Sequence, residues 1–482
     1  MVINKQRKGD MNMKSAKLSI AALLAIVLLA GCGSGNTNKQ GAAGSDSGSG
    51  ASASPAAASG SAAASAEPAS YKKLGDEPLT LTFYSTSGTF PDVEFNTLIA
   101  DPIHAKYPNV TIERITPAAN TTNEEVLSTY TPDIIYSSSS SHANIIRTGV
   151  YEDLRPYIEK FGFDTSRIKP ILWNYAQELT KGKGDQIWII PFNANQHVLY
   201  YNKDIFDKFG VPYPTDEQQT WDDVIEIAKK LTRTVNGVHY VGLAVDNLSG
   251  LAKGLGLSIT DRTEGNSTLS SDPGWLRTFE LQKKILEIPG YVGPDNFWNY
   301  GRDQFMKDQT IAMRASWLAN MVGPLEELRQ QGVEFNWDIA PVPNFEDQLG
   351  VTREAQVHSL SINKNSPHKD EAFQVIAEIL SDEGQLILSR NGRVPAVVNP
   401  ALEAEYGTEI PVLQGKKVQN VFVGEPLQEH YTSAYDLGVS SALTDAAEGL
   451  AIGGLDVNTA LRNAEEAINQ KAESLRSTLG AP

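Results

Sequence analysis

Small hydroxyl side chains gather directly after two predicted strands. The run 79–83 alternates apolar and polar residues, which is the period of a half-buried strand, and it is followed by Ser85, Thr86 and Ser87. A second run, which opens with Ser137 and Ser138 and reaches His142, follows the apolar strand 133–136. Ligands of open α/β sheets bind outside the carboxyl ends of the strands, so we expect these hydroxyls to meet a hydroxylated ligand. The alternative is that each run is a solvated loop.

Three charged or amide side chains are further candidates for ligand contact. Asp246 and Asn247 follow the strand-like run 238–245 and could present a carboxylate and an amide. Arg393, in the run NGRVPA, could bind a carboxylate or a phosphate, or it could be a surface arginine in a turn.

No catalytic or metal-binding motif stands out. The seven histidines are scattered without metal-ligand spacing, and HExxH, GxSxG and Walker-type sequences are absent. The glycine-rich stretch 250–256 lacks the Lys-Ser/Thr of a phosphate loop and is predicted to be a loop. We therefore expect no catalytic residue, no metal and no cofactor, although a pair of carboxylates on this acidic chain remains an open alternative.

Cys32 is the single cysteine of the 482 residues, and its surroundings indicate export. Lys14 and Lys17 precede an apolar run, 18–29, which ends in the small residues Ala30 and Gly31. These are the parts of a secretory signal peptide, predicted over residues 1–31, and the sequence LLAGC resembles the lipobox of bacterial lipoproteins. A thiol can be alkylated by a lipid donor, and several acyl chains give stable anchoring. The alternative, a transmembrane helix, would need a longer apolar run.

Composition divides the rest of the chain into a spacer and a folded body. Residues 32–70 are rich in Gly, Ser and Ala and are predicted to form a disordered linker. Residues 71–482 exceed what one hydrophobic core usually supports, so two lobes are expected. The formal net charge of −17, which becomes more negative when the signal peptide is removed, argues against nucleic acid as a partner.

Strands alternate with helices along the body, which predicts open α/β sheets covered by helices. Strands are expected near 79–84, 110–112, 133–136 and 187–190, the last ended by Pro191. Helices are expected at 93–99, 371–380, 457–475 and 221–231, the last capped by Thr220 with Asp223 in a capping box.

Several segments resemble the family 1 extracellular solute-binding proteins of ABC importers. The longest is IWIIPFNANQHVLYYNKDIFDKFGVPYPTDEQQTWDDVIEIAKKL, which spans residues 187–231. It is joined by YPNVTI, PDIIYS, FMKDQTIAMRASW, KNSPHKDEAFQVIAEIL and NGRVPA. One departure is Asp101-Pro102, which is expected to interrupt the first long helix.

This resemblance implies an α/β, two-lobed, periplasmic-binding-protein-like fold whose lobes close by hinge bending around a ligand cleft. The first lobe would comprise about 79–195 and 359–413, and the second about 196–358 and 414–482. The resemblance also implies that the protein is an extracellular, lipid-anchored monomer on the cell membrane. It would capture a carbohydrate for the transmembrane subunits of an ABC permease.

The resemblance adds further site candidates. Asn193, Asn195 and Gln196 would lie where the chain crosses between the lobes, and could either contact ligand or stabilise the hinge. Trp317 closes the AMRASW motif, where the family often places an aromatic ring under the ligand, with core packing as the alternative. Trp298 is a second stacking candidate, and Tyr431 and Tyr435 could line the cleft.

Three other functions stay open from the sequence. A polyol phosphate could replace the sugar if Arg393 or another cation pointed into the cleft. The protein could serve a sensor kinase instead of a permease. An anchored lyase or glycosidase would require two carboxylates facing each other.

Overall fold

A computed structural model describes residues 73–87, 90–333 and 335–479. The predicted signal peptide, the linker and Cys32 lie outside the described residues. No helix within the described ranges is long and apolar enough to cross a membrane.

Strands and helices alternate through the described chain. The strands are β1 Leu79–Ser85, β2 Val110–Arg114, β3 Ile134–Ser138, β4 Ile190–Asn195, β5 His197–Asn202, β6 Arg233–Val235, β7 Val238–Tyr240, β8 Met313–Trp317, β9 Trp337–Pro341, β10 Val351–Thr352, β11 Gln356–Ile362, β12 Val394–Pro395 and β13 Glu425–Pro426. The helices are α1 Asp92–Phe95, α2 Asp101–Lys106, α3 Asn123–Thr129, α4 Ser139–Thr148, α5 Arg155–Lys160, α6 Pro170–Glu178, α7 Lys203–Phe209, α8 Trp221–Leu231, α9 Leu248–Ala252, α10 Gly274–Leu286, α11 Arg302–Met306, α12 Leu318–Gln330, α13 Lys369–Ile379, α14 Asp382–Arg390, α15 Pro400–Ala404, α16 Ala434–Val439, α17 Ser441–Ala451 and α18 Val457–Leu479.

Two main sheets organise these elements. The larger has the order β12-β4-β11-β3-β1-β2, with β2 and β3 parallel to β1 and with β11 antiparallel to both β3 and β4. The smaller has the order β8-β5-β9, with both outer strands antiparallel to β5. Gln196 is the single residue between β4 and β5, so the chain passes from one sheet to the other at that point.

Local sequence rules hold best where the partner groups are close in the chain. Helix α8 begins after Thr220, whose hydroxyl accepts the N–H of Asp223 at 3.0 Å while the Asp223 carboxylate accepts the Thr220 N–H at 3.0 Å. Strand β1 buries Leu81 and Phe83 on its inner face. The predicted capping box and the predicted first strand are both confirmed.

The expectation that Pro191 ends a strand is wrong. Strand β4 begins at Ile190 and continues through Pro191 to Asn195. The ladder with β11 pairs Ser359 with Pro191 and His358 with Asn193, so one extra residue of β4 forms a bulge. A proline is tolerated beside such an irregularity because a ladder N–H is not required there.

Two other local expectations are corrected. Pro102 does not interrupt the first helix, because a π-helical turn, Asn96–Ala100, precedes it and the N–H of Asp101 bonds to the carbonyl of Asn96. The chain thus stays helical from Asp92 to Lys106. The stretch 250–256 is not a plain loop, since α9 is followed directly by a 3-10 turn, Lys253–Leu255.

Candidate ligand-binding site

A cavity of about 390 Å³ opens beside the smaller sheet. Parts of the segments 245–253, 298–301 and 314–320 line it, together with Arg353 and with Thr444 and Ala447 of α17. The segment 245–253 and α17 meet because α9 and α17 both pack on α10. The cavity falls in the size range of small-molecule sites in proteins.

The carboxylate of Asp246 lies at the centre of the charged groups of this cavity. Ala244 forms a parallel bridge with Arg314 of β8, which places Asp246 next to the Arg314 side chain. Asp246 Oδ2 accepts a hydrogen bond from His197 Nε2 at 3.0 Å. Arg314 Nη2 is 3.5 Å from Asp246 Oδ1, and Arg353 Nη1 is 3.5 Å from Asp246 Oδ2.

The surroundings keep Asp246 ionised and His197 neutral. Burial alone would raise the pKa of Asp246, but the His197 hydrogen bond and the charges of Arg353 and Arg314 hold it well below its usual value. Burial, reinforced by the charge of Arg353, lowers the pKa of His197 to about 3. His197 therefore donates Nε2–H as a neutral ring at neutral pH.

Arg353 is the least satisfied charged group of the cavity. Its side chain is buried, and Nε, Nη1 and Nη2 donate no hydrogen bond to any described residue. Burial lowers its pKa to about 10, against the opposing effect of the Asp246 charge. A Cβ built on Gly250 would stand 2.5 Å from Asp246 Cβ and 3.2 Å from Arg353 Nη2, so only glycine leaves room for this pair.

Two indole rings provide the apolar part of the lining. Trp317 is half-buried at the end of β8, with its ring centroid 3.6 Å from that of His197 and 5.6 Å from the Arg353 guanidinium carbon. Trp298 is also half-buried and lines the same cavity. Such flat faces can stack on the C–H face of a sugar.

Four of the predicted ligand residues therefore come together: Asp246, Asn247, Trp298 and Trp317. Asn247 also has a structural role, because its Oδ1 accepts the N–H of Gly250 at 3.1 Å and caps α9. Arg314, Arg353 and Lys253 also line the cavity, although sequence reasoning did not select them. Arg314 stands inside the AMRASW motif, which was the available signal for it.

The two hydroxyl runs meet each other and do not line this cavity. The parallel ladder of β1 with β3 brings Thr86 Oγ1 within 3.2 Å of Ser141 Oγ. Ser85 Oγ bonds to the carbonyl of Ser87 at 2.8 Å. Ser138 Oγ lies 2.9 Å from Ser140 Oγ.

Ser137 turns into the interior. Its hydroxyl lies 3.0 Å from His142 Nε2 and 3.1 Å from Ser359 Oγ, and its side chain is fully buried. Tyr175 bonds to the other ring nitrogen of His142 at 3.1 Å. This polar cluster holds α4 against the larger sheet.

The amides near the sheet-to-sheet connection fasten the strands there. Asn195 Oδ1 accepts the N–H of Ala319 in the first turn of α12 at 3.1 Å, and Gln196 O accepts the Leu318 N–H at 2.9 Å. Asn193 Oδ1 lies 3.1 Å from His358 Nδ1. These contacts tie the connection to α12 and tie β4 to β11.

The model of the bacterial extracellular solute-binding protein family matches residues 94–386, which is more than half of the chain. The chain belongs to this family. An uncharacterized lipoprotein of Streptomyces antibioticus is 24% identical over 334 residues, which are 65% of this chain and 69% of the relative.

Solved structures show the same fold. A sugar transporter from Rhizobium etli, in an open conformation, superposes with a TM-score of 0.64 at 20% identity, over 81% of this chain and 99% of that one. UgpB from Mycobacterium tuberculosis, in complex with glycerophosphocholine, superposes with a TM-score of 0.60 at 17% identity, over 82% and 99%. The fold is thus the two-lobed, periplasmic-binding-protein-like fold, and the family match makes the protein an extracellular solute-binding protein.

Arg393 of this solute-binding protein is not a surface residue. It is buried, it pairs with Glu94, and its guanidinium lies 5.8 Å from the centroid of the Phe90 ring. It does not line the Asp246 cavity.

Tyr431 and Tyr435 line a second groove of about 450 Å³. Arg262 lies over the ring of Tyr431 at 4.6 Å and pairs with Glu178 of α6. The groove thus joins a residue of the first predicted lobe to residues of the second.

Three carboxylates lie in or next to the lining of the cavity. Asp246 is the one carboxylate that lines the cavity among the described residues. Glu354 and Glu429 are buried and flank Lys253 Nζ at 2.9 and 3.6 Å. Within the described ranges, no group of three or more His, Cys, Asp and Glu side chains is placed to hold a metal ion.

Proposed function

We propose that this solute-binding protein captures a carbohydrate, a mono- or oligosaccharide, and delivers it to the membrane subunits of an ABC permease. The observation that carries this proposal is the half-buried Trp317 face beside Asp246 and Asn247 in a cavity of about 390 Å³. A sugar presents an apolar C–H face and a rim of hydroxyls. The indole suits the face, and the carboxylate and amide suit the hydroxyls.

Binding would work through lobe closure. The first lobe, about 79–195 and 359–413, would close on the second, about 196–358 and 414–482, around the connection at Gln196. A ligand that binds the closed form better than the open form shifts the population toward closure. The permease would recognise the closed monomer.

The protein would be held at the outer face of the cell membrane through lipid on Cys32, with residues 33–70 as a spacer. The relative from Streptomyces antibioticus is named a lipoprotein, which supports this location. Labelling of cells with a radioactive or clickable palmitate should mark the wild type and not Cys32→Ser. Equal labelling of both proteins would overturn the anchoring proposal.

Thermal unfolding of the purified protein against sugars, oligosaccharides and amino acids tests the binding proposal. A ligand at 100 times its dissociation constant adds about 2.7 kcal/mol of stability and raises the midpoint by a few degrees. A shift with one class of carbohydrate supports sugar capture. Shifts confined to amino acids would overturn it.

A further inference from the structure

The Asp246 cavity carries more positive than negative charge. Arg314, Arg353 and Lys253 line it, against the single carboxylate of Asp246 among its described lining residues. Lys253 is already neutralised, because the buried carboxylates of Glu354 and Glu429 flank its ammonium. The two guanidinium groups therefore share one carboxylate.

Asp246 accepts a long hydrogen bond from Arg314 Nη2, at 3.5 Å, and no aligned hydrogen bond from Arg353. Both guanidinium groups lie 3.5 Å from its oxygens, at the edge of hydrogen-bonding distance, and Arg353 donates no aligned hydrogen bond to any described group. Arg314 donates Nη1–H to the carbonyl of Tyr300 at 3.1 Å, while its buried Nε has no described partner. The two side chains are 3% and 9% exposed, so most of their surface is withdrawn from bulk water.

We propose that the solute carries an anionic group, a carboxylate or a phosphate ester, which is bound by Arg353 with support from Arg314. This inference rests on the proposed capture of a carbohydrate and narrows its class to acidic sugars or polyol phosphates. A planar guanidinium presents two parallel N–H donors, which match the paired oxygens of either anion. The anion would supply the aligned acceptor that Asp246 does not give Arg353.

The neighbouring groups would orient such a ligand. The Trp317 ring lies 5.6 Å from the Arg353 guanidinium carbon. A sugar ring stacked on the indole can therefore place its anionic substituent against the guanidinium N–H groups. Gly250 lets the backbone of α9 approach Asp246 and Arg353 closely, since a Cβ there would stand 2.5 Å from Asp246 Cβ and 3.2 Å from Arg353 Nη2. The charged contact and the apolar contact are thus adjacent.

Titration calorimetry of the full-length protein with matched probes tests the proposal. The pairs are galacturonate and galactose, glucuronate and glucose, glucose 6-phosphate and glucose, and glycerol 3-phosphate and glycerol. We expect the acid of at least one pair to bind about 100-fold more tightly than its neutral partner, the worth of a charge-assisted pair of hydrogen bonds. Binding of a uronate would identify the anionic group as a carboxylate. Binding of a sugar phosphate or of glycerol 3-phosphate would identify it as a phosphate ester.

Variants separate the anion contact from general damage. In Arg353→Gln the ratio of acid to neutral affinity should fall about 100-fold, so the preference for the acid is lost. In Arg353→Lys, which keeps the charge without the paired N–H donors, this ratio should fall about 10-fold. Arg329→Gln, at an exposed position on α12, is the matched control and should bind like the wild type. The ratio of acid to neutral affinity is the decisive readout, because partial unfolding lowers both affinities together.

Each result is decisive. Neutral sugars that bind as tightly as their acids, or an acid preference unchanged in both Arg353 variants, would overturn the anion proposal and leave carbohydrate capture standing. A protein that binds none of the charged or neutral carbohydrates would overturn both.

Discussion

Replacing His142 with glutamine should remove the part of the acid sensitivity of the fold that this buried ring causes. His142 is fully buried, and burial lowers its pKa to about 3. An unfolded histidine has a pKa of about 6.5, so the unfolded chain binds a proton that the folded chain refuses. Stability is therefore complete above the unfolded pKa and falls as the pH drops from 6.5 toward 3. Between pH 7 and pH 4.5 this one ring should cost about 2.5 kcal/mol of unfolding free energy.

Urea unfolding at half-unit pH steps measures the effect. The glutamine of His142→Gln can still bond to Ser137 and Tyr175 but has no proton to gain. The unfolding free energy of the wild type minus that of the variant should fall by about 2.5 kcal/mol from pH 7 to pH 4.5. His104→Gln, a histidine replaced at an exposed position, is the matched control. If the unfolding free energies of His142→Gln and the wild type had the same pH dependence, the burial of His142 would be refuted. The run 137–142 would then again be a candidate ligand loop.

Three further substitutions test the site and the fold. Gly250→Ala should lower stability by about 1–3 kcal/mol and weaken solute binding, because its Cβ would overlap Asp246; unchanged melting and affinity would contradict the geometry. Trp317→Ala should weaken binding of the best carbohydrate roughly 10- to 100-fold in calorimetry, whereas Trp188→Ala, outside the cavity, should not; equal losses would point to general packing. Thr220→Ala should cost about 1 kcal/mol in urea unfolding through the lost α8 cap, and no loss would mean that Asp223 alone suffices.

The parts of the fold that sequence predicted depend on neighbours in the chain. The capping box of α8 needs Thr220 and Asp223, three residues apart, and the alternation of β1 needs only its own residues. The residues around Pro191 in the sequence could not predict that β4 continues through this proline. Its bulge exists because β11, more than 160 residues further on, supplies the facing strand.

The contrast between chain neighbours and distant segments also explains which site residues could be predicted. Asp246 and Trp317 follow recognisable strand endings, so their types and positions indicated ligand contact. Arg353 stands next to Glu354 in a short connection, where adjacent opposite charges are typical of a solvated surface. Only the fold shows that Glu354 turns to Lys253 and His430, while Arg353 turns to Asp246.

The predicted hydroxyl runs and the observed cavity are compatible if the site is divided between the lobes. Asn195 is bonded to the first turn of α12, next to Trp317, so this part of the connection is fixed to the cavity side. Thr86, directly after β1, is bonded to Ser141 in the first turn of α4, which ties these two hydroxyl runs into one unit. In a protein that closes by hinge bending, each wall can be internally rigid while the ligand supplies the contact between them. We therefore expect Ser85, Thr86 and Ser138 to reach the solute only in the closed form, after the Asp246 cavity has bound it.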